Sequence, residues 1–229
     1  MGSEIQTAED LWGSSFLPEA EHPPRPSTRS VEDLERVGGS LALDFANTVG
    51  GTRIRPVEHL SGWERLLRWA VAAGAVDESD VGVLADRVAA DPAGAEAAYL
   101  RALELREAIY RIFDAVARER APAVGDLTVL NARLGAALSR LELVRGEDGF
   151  VYAPVGPADS FDRLLDPIVR DAAELLVSSH LDRIKQCGGH DCSWLFVDAS
   201  RNRGRRWCDM ADCGNRAKAR RHYRKHRDG

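Results

Sequence analysis

The sequence predicts a mostly α-helical body with one small β-hairpin, followed by a small zinc-ribbon or treble-clef-like module. Three observations carry this reading. Apolar residues recur with helical spacing in successive stretches between about residues 40 and 180. All four cysteines lie in two Cys-x4-Cys pairs, Cys187/Cys192 and Cys208/Cys213, separated by fifteen residues. Charge divides along the same line. Residues 181–229 hold thirteen Lys or Arg against six Asp or Glu, a net of +7, and residues 1–180 hold eighteen against thirty, a net of −12. The whole-chain net of −5 therefore hides a basic module on an acidic body.

A chain of 229 residues with 44% hydrophobic content can bury a real core. No run approaches twenty apolar residues, so no transmembrane helix and no membrane partner are expected. The N-terminus, MGSEIQTAEDLWGSS, has no apolar h-region, so no secretory signal is expected and the location is read as cytoplasmic. Paired cysteines in such a compartment read as metal ligands rather than disulfides.

Residues 1–34 are expected to form a flexible tail, because four prolines between Pro18 and Pro26 prevent a helix. Its Leu11, Trp12, Phe16 and Leu17 are isolated apolar residues that could dock on a neighbour. The folded helical domain is assigned to residues 35–182. Leu41, Phe45 and Thr48 follow i, i+4, i+7, with Ser40 as N-cap. Leu60 to Val71 carries a clear stripe ended by Ala73-Gly74, and Asp77 to Ala90 a weaker one. Asp91 and Pro92 stand as N-cap and first residue of a long helix ended by Ala121-Pro122. Leu127 to Leu141 gives the next helix, with Asp126 as its N-cap. Leu141 to Val144 and Phe150 to Tyr152 flank a Gly-Glu-Asp-Gly turn and predict a hairpin. A last body helix is expected from about Pro167 to His180.

Residues 183–229 form the metal module. Four thiolates from Cys187, Cys192, Cys208 and Cys213 fill a tetrahedral zinc completely, so one ion is expected to be structural, not catalytic. Trp194 to Val197 and Arg205 to Trp207 are β-prone and flank turn residues, which predicts a hairpin between the two pairs, with a helix after Cys213. His222 and His226 with the second pair imitate a Cys2His2 finger, but the eight residues from Cys213 to His222 are too few and two cysteines would go unused.

Cys213-Gly214-Asn215-Arg216, with Cys192-Ser-Trp194-Leu-Phe196-Val-Asp198 and Arg206-Trp207-Cys208 around it, resembles the CGNR zinc-finger family. Leu41-Ala-Leu-Asp44-Phe45-x-Asn47-Thr48 resembles the opening motif of the ABATE domain that precedes this finger. The resemblance covers about residues 35 to 226. It implies a bacterial, stress-induced transcription regulator whose zinc finger contacts DNA.

Candidate nucleic-acid contacts are Arg201, Arg203, Arg205 and Arg206 before the second pair, Asn215 and Arg216 at the turn, and Lys218, Arg220, Arg221, Arg224 and Lys225 on the helix. A helix basic on most sides suits phosphates and the major groove. Ala219 and Tyr223 are read as the stripe that rests on the finger. Arg216 could equally balance thiolate charge, and Asn215 could cap the helix. Two other functions stay open: RNA binding, and non-catalytic binding of a small molecule at Asp44, Asn47 and Arg106 in the helical domain, a domain that could also mediate a homodimer. No nucleophile–base pair, Gly-rich phosphate loop or open metal motif is present, so catalysis is not expected.

Overall fold

A computed structural model of the chain describes residues 25–157 and 160–227, without the side chains of Lys225 and Arg227. The predicted apolar docking residues Leu11, Trp12, Phe16 and Leu17 lie outside the described residues. The architecture is the mostly α-helical one expected, with a small β-containing module at the C-terminal end. Among the described residues no helix is long and apolar enough to cross a membrane.

The body is arranged around one long helix. Six helices make it up: α1 (Leu41–Ala46), α2 (Trp63–Ala72), α3 (Val81–Ala90), α4 (Pro92–Ala117), α5 (Val124–Leu138) and α6 (Asp166–Val177). Helix α4 starts as the sequence predicts, with the Asp91 carboxylate accepting the Gly94 N–H at 2.9 Å and Pro92 in the first turn. It buries residues on most of its circumference, from Ala95 to Ala115. That is possible because α1, α2, α3, α5 and a 3₁₀ turn at Phe161–Leu165 all pack on it, while α6 closes the far side against α1 and α5. Phe45 of α1 stacks at a tilt on Trp69 of α2, with ring centroids 5.2 Å apart, and Trp63 meets Phe161 edge-on at 4.9 Å.

Several boundaries differ from the sequence reading. Residues 25–34 are not a tail. Arg25–Pro26 forms β1, which pairs in parallel with β3 (Pro56–Glu58), and β3 pairs antiparallel with β2 (Val49–Gly51). Val31 and Leu34 are buried in the main core. Pro26 is tolerated because β1 is a two-residue edge strand. Helix α5 starts at Val124, not after Asp126. Asp126 instead takes the Arg111 guanidinium of α4, with Nε at 2.9 Å from Oδ1, a contact that its helical spacing could not reveal. Helix α6 stops at Val177, where Ser178 turns extended. The predicted hairpin is present as β4 (Leu141–Gly146) and β5 (Gly149–Pro154), joined by Glu147-Asp148.

Arg106, a candidate ligand contact in the sequence, sits in an ion network of the interior. It is fully buried in α4, and its two terminal nitrogens grip both oxygens of Glu58 at 2.7 Å. Its Nε donates to Glu107 at 3.2 Å, and Glu107 also takes Arg53 at 2.6 Å. The Arg53 guanidinium lies 3.4 Å from the Tyr110 ring centroid. Glu58 in turn accepts the Leu60 N–H at 2.7 Å. The network therefore ties β3, α4 and the loop before α2 together. Replacing Arg106 with Ala leaves Glu58 buried and unpaired. Arg106→Ala is expected to cost about 3–5 kcal/mol of unfolding free energy, read as a lowered urea midpoint, whereas exposed Arg145→Ala should change it by less than about 0.5 kcal/mol.

Candidate metal centre

The C-terminal module starts with β6 (Ile184–Gln186), which pairs antiparallel with β7 (Leu195–Val197). The loop of this hairpin carries Cys187 and Cys192. The hairpin expected between the two cysteine pairs is thus absent: Arg205 to Trp207 forms no strand, and β7 takes its partner from before Cys187 instead. The reason is Asp198. Its buried carboxylate accepts from Lys185 Nζ at 2.6 Å, Ser200 Oγ at 2.5 Å, Ser200 N at 3.0 Å and Arg205 N at 3.0 Å. Burial works against its charge, but these donors hold its carboxyl well below the usual carboxylate range. The chain after β7 is therefore folded into a loop around one anion. Asp198 and Lys185 were not among the predicted site residues. Only their turn context, Asp-x-Ser, hinted at it.

Cys208 precedes a short π-helical turn, Met210–Gly214, which Asp209 caps by accepting the Asp212 N–H at 2.9 Å. Cys213 is the next-to-last residue of this turn, and α7 (Asn215–Arg227) follows directly after Gly214. One pair thus sits in a hairpin loop and the other at a helix start, the treble-clef-like arrangement that the sequence predicts.

The four sulfurs all lie within 4.8 Å of one another. Cys192 to Cys208 is 3.7 Å and Cys208 to Cys213 is 3.6 Å. A tetrahedral zinc with bonds of about 2.3 Å requires sulfur separations of about 3.8 Å. The donor set therefore fits one zinc ion in a closed, structural site. Cys187 accepts N–H groups from Gly189 at 3.4 Å and Cys208 at 3.3 Å, and Arg216 Nη2 donates to Cys213 at 3.0 Å. These donors offset the surplus negative charge of four thiolates. A Cβ at Gly189 would come within 3.2 to 3.4 Å of Cys213 Sγ, Cys192 Cβ and Cys187 Sγ, so glycine gives the knuckle its closest fit here.

The finger is seated on the body through the α1 motif. Asn47 accepts the Leu195 N–H and donates to the Leu195 carbonyl, both at 2.8 Å. Trp194 Nε1 donates to the Val49 carbonyl at 3.0 Å, and the Val197 N–H to the Gly38 carbonyl at 2.8 Å. Gly38 in turn donates to Asp44 at 2.8 Å. Gly39 has φ +78°, and a Cβ there would sit 3.5 Å from Val197. Asp44 and Asn47 therefore brace the joint between body and finger. Arg106, the third residue proposed for a small molecule, is instead committed to Glu58 in the buried ion network.

The basic candidates separate into two groups. Arg205 donates to Trp207 O at 3.0 Å, to Cys208 O and to Val37 O at 3.1 Å, and lies 4.3 Å from the Phe196 centroid. Arg203 pairs with Asp182 at 2.5 Å, Arg216 with Asp212 at 3.0 Å, and Arg220 with Asp191. Asn215 Nδ2 donates to Ala211 O at 2.9 Å, bracing the start of α7. By contrast Arg201, Lys218, Arg221 and Arg224 are exposed and make no ion pair among the described residues, and exposed Arg206 only flanks the Trp207 ring. The side chain of Lys225 lies outside the described residues. Ala219 and Tyr223 do not rest on the finger: both are exposed, because α7 meets the knuckle only through its first turns.

Residues 39–179 match the family model ABATE, described as "putative stress-induced transcription regulator", and residues 183–226 match the CGNR zinc finger. A comparison with curated proteins returns no match.

Two outcomes follow from this joint. Metal analysis is expected to give one zinc per chain, and chelation or Cys213→Ser should lower far-UV helicity by the α7 contribution; unchanged helicity after full zinc release contradicts a structural ion. Burial raises the Asp44 carboxyl from 3.8 to about 6, against the Gly38 N–H that pulls it down. The fold thus holds this proton more tightly than the unfolded chain, so the contribution of Asp44 is complete below about pH 4 and is lost as pH rises through about 6. Asp44→Asn, whose Oδ1 still accepts from Gly38, should be more stable than the parent at pH 7 and lose that advantage by pH 4, measured by urea unfolding at both values.

Proposed function

The chain belongs to the ABATE family and ends in a CGNR zinc finger, and from this we propose that it regulates transcription by binding double-stranded DNA, without catalysis, through the zinc-held basic helix α7. The observation that carries this reading is the row of unpaired cations on a helix that projects from the knuckle. Lys218, Arg221 and Arg224 stand on exposed turns of α7 without carboxylate partners among the described residues. Arg201 and Arg206 add charge from the preceding loop. A groove of ≈ 640 Å³ runs between the first knuckle and the helix, lined by Gly188, Gly189, Arg216, Arg220, Arg221 and Arg224. Two of its arginines, Arg216 and Arg220, are oriented by Asp212 and Asp191 rather than left to swing freely, while Arg221 and Arg224 stay unpaired among the described residues.

Paired arginines position the helix and unpaired ones meet phosphates. A salt slope near −4.5 in log affinity against log salt corresponds to about five neutralised phosphates. The triple variant Lys218→Ala, Arg221→Ala, Arg224→Ala is expected to keep one zinc per chain and to reduce this slope by about 2.7, with affinity for duplex genomic fragments falling steeply. Retention of the parent affinity by that zinc-loaded variant rules out α7 as the binding element.

One observation favours a second reading. Tyr223 is 75% exposed between the cations of α7, where a ring could stack on an unpaired base. Single-stranded RNA that outcompetes duplex DNA at equal salt, with the preference abolished by Tyr223→Ala, would replace DNA with RNA as the ligand.

A further inference from the structure

A second cleft, on the body, lies between residues 75–84, the β4–β5 hairpin and the start of α6, with a volume of ≈ 220 Å³. It is remote in sequence from both the cysteines and α7. Arg170 of α6 and Arg163 of the preceding turn line it, and so do Asp77 and Asp80 ahead of α3. The Arg170 Nε is buried and has no hydrogen-bond partner. Arg163 donates only to the Pro157 carbonyl, at 3.3 Å, among the described residues. Asp77 and Asp80 stand at helix starts, yet neither carboxylate caps an N–H. No Asp–Arg pair among these four closes to 4.0 Å. The remaining carboxylate, Asp166, is already held by Arg140, with Nε at 2.8 Å, and is not available.

Charges of both signs thus line one small cleft without neutralising each other. An orphaned, desolvated guanidinium nitrogen costs free energy unless an acceptor reaches it. A ligand that carries a carboxylate and an ammonium a few bonds apart would satisfy both sets at once. The volume lies below the range of about 300–1,000 Å³ typical of drug-sized ligands, which excludes a nucleotide. Val76, Leu84 and Leu164 supply an apolar lining beside the charges. We propose that this cleft binds a free α-amino acid with an apolar side chain, its carboxylate on Arg163 and Arg170 and its ammonium on Asp77 and Asp80.

The test is isothermal calorimetry on the full zinc-loaded chain with leucine, valine, methionine and phenylalanine, each beside its N-acetyl and methyl ester forms. Saturable binding by at least one free amino acid is expected, weakened tenfold or more by blocking either end. Arg170→Gln should weaken it by a similar factor. Three results overturn the proposal: no saturable binding up to about 10 mM, equal binding of a blocked form, or undiminished binding by folded Arg170→Gln. Binding of succinate in place of every amino acid also overturns it, since a dicarboxylate leaves no role for Asp77 and Asp80. If Arg170→Gln does not fold, the comparison of free and blocked ligands decides alone.

Discussion

The side-chain amide of Asn47 is the point on which body and finger depend. Strand β7 pairs with β6 on one edge only. Its other edge would present main-chain groups with no partner, a costly exposure inside a protein. Asn47, 3% exposed, supplies a donor and an acceptor in the spacing of a missing strand residue, and Gly38 completes the edge at Val197. The finger is therefore not a bead on a tether. Its β-hairpin is part of the body's core, since Ile184, Leu195 and Val197 belong to the same buried cluster as Phe45 and Ile109. The orientation of α7 follows from this seat: α1 holds β7, the hairpin holds the first knuckle, the metal joins the knuckles, and the second knuckle launches the helix.

The same logic of satisfying groups by main chain and by opposite charge governs the interior. Glu58, Arg106, Glu107 and Arg53 form a buried ion network that a packed apolar core could replace at little cost. What such a network adds is direction. Each guanidinium fork accepts only one arrangement of carboxylates, so β3, α4 and the Arg53 loop have a single register relative to each other. The loop residues between Val49 and Arg53 are also those that touch the finger, through Trp194 and Ser193. The network thus stiffens the platform on which the metal module rests.

Within the basic run, chemistry of one type performs two tasks. Arg205, half-buried against Phe196 and bonded to four carbonyls, is an internal strut of the finger. Arg216 stabilises a thiolate. Lys218, Arg221 and Arg224 face water. An anion approaching from solvent meets no competing carboxylate at the last group, whereas Arg205 is already committed to main-chain carbonyls. Counting arginines in the sequence therefore overstates the positive surface, and the division follows from where each side chain leaves the loop or helix.

Much of the fold and of the metal set was legible in the sequence because the signals are local. Helical periodicity, the Asp91-Pro92 start, the hairpin turn at Glu147-Asp148 and the spacing of Cys187, Cys192, Cys208 and Cys213 each depend on residues close in the chain. Partners distant in sequence were not legible. The three-residue strands β2 and β3 are too short to show a period, and β1 exists only because β3 offers an edge. Asp126 reads as a cap but meets Arg111, and Arg106 reads as a pocket residue but meets Glu58. The finger's hairpin pairs β7 with residues ahead of Cys187 and not with Arg205 to Trp207, because β propensity names strands and not partners, while Asp198 gathers donors from Lys185 and Arg205 across the loop. The sequence alone determined the ligands, the helices and the sign of the charge. Only the tertiary structure decided which charges remain free and how the finger is seated, because pairing energies depend on which side chains burial brings within a few ångströms.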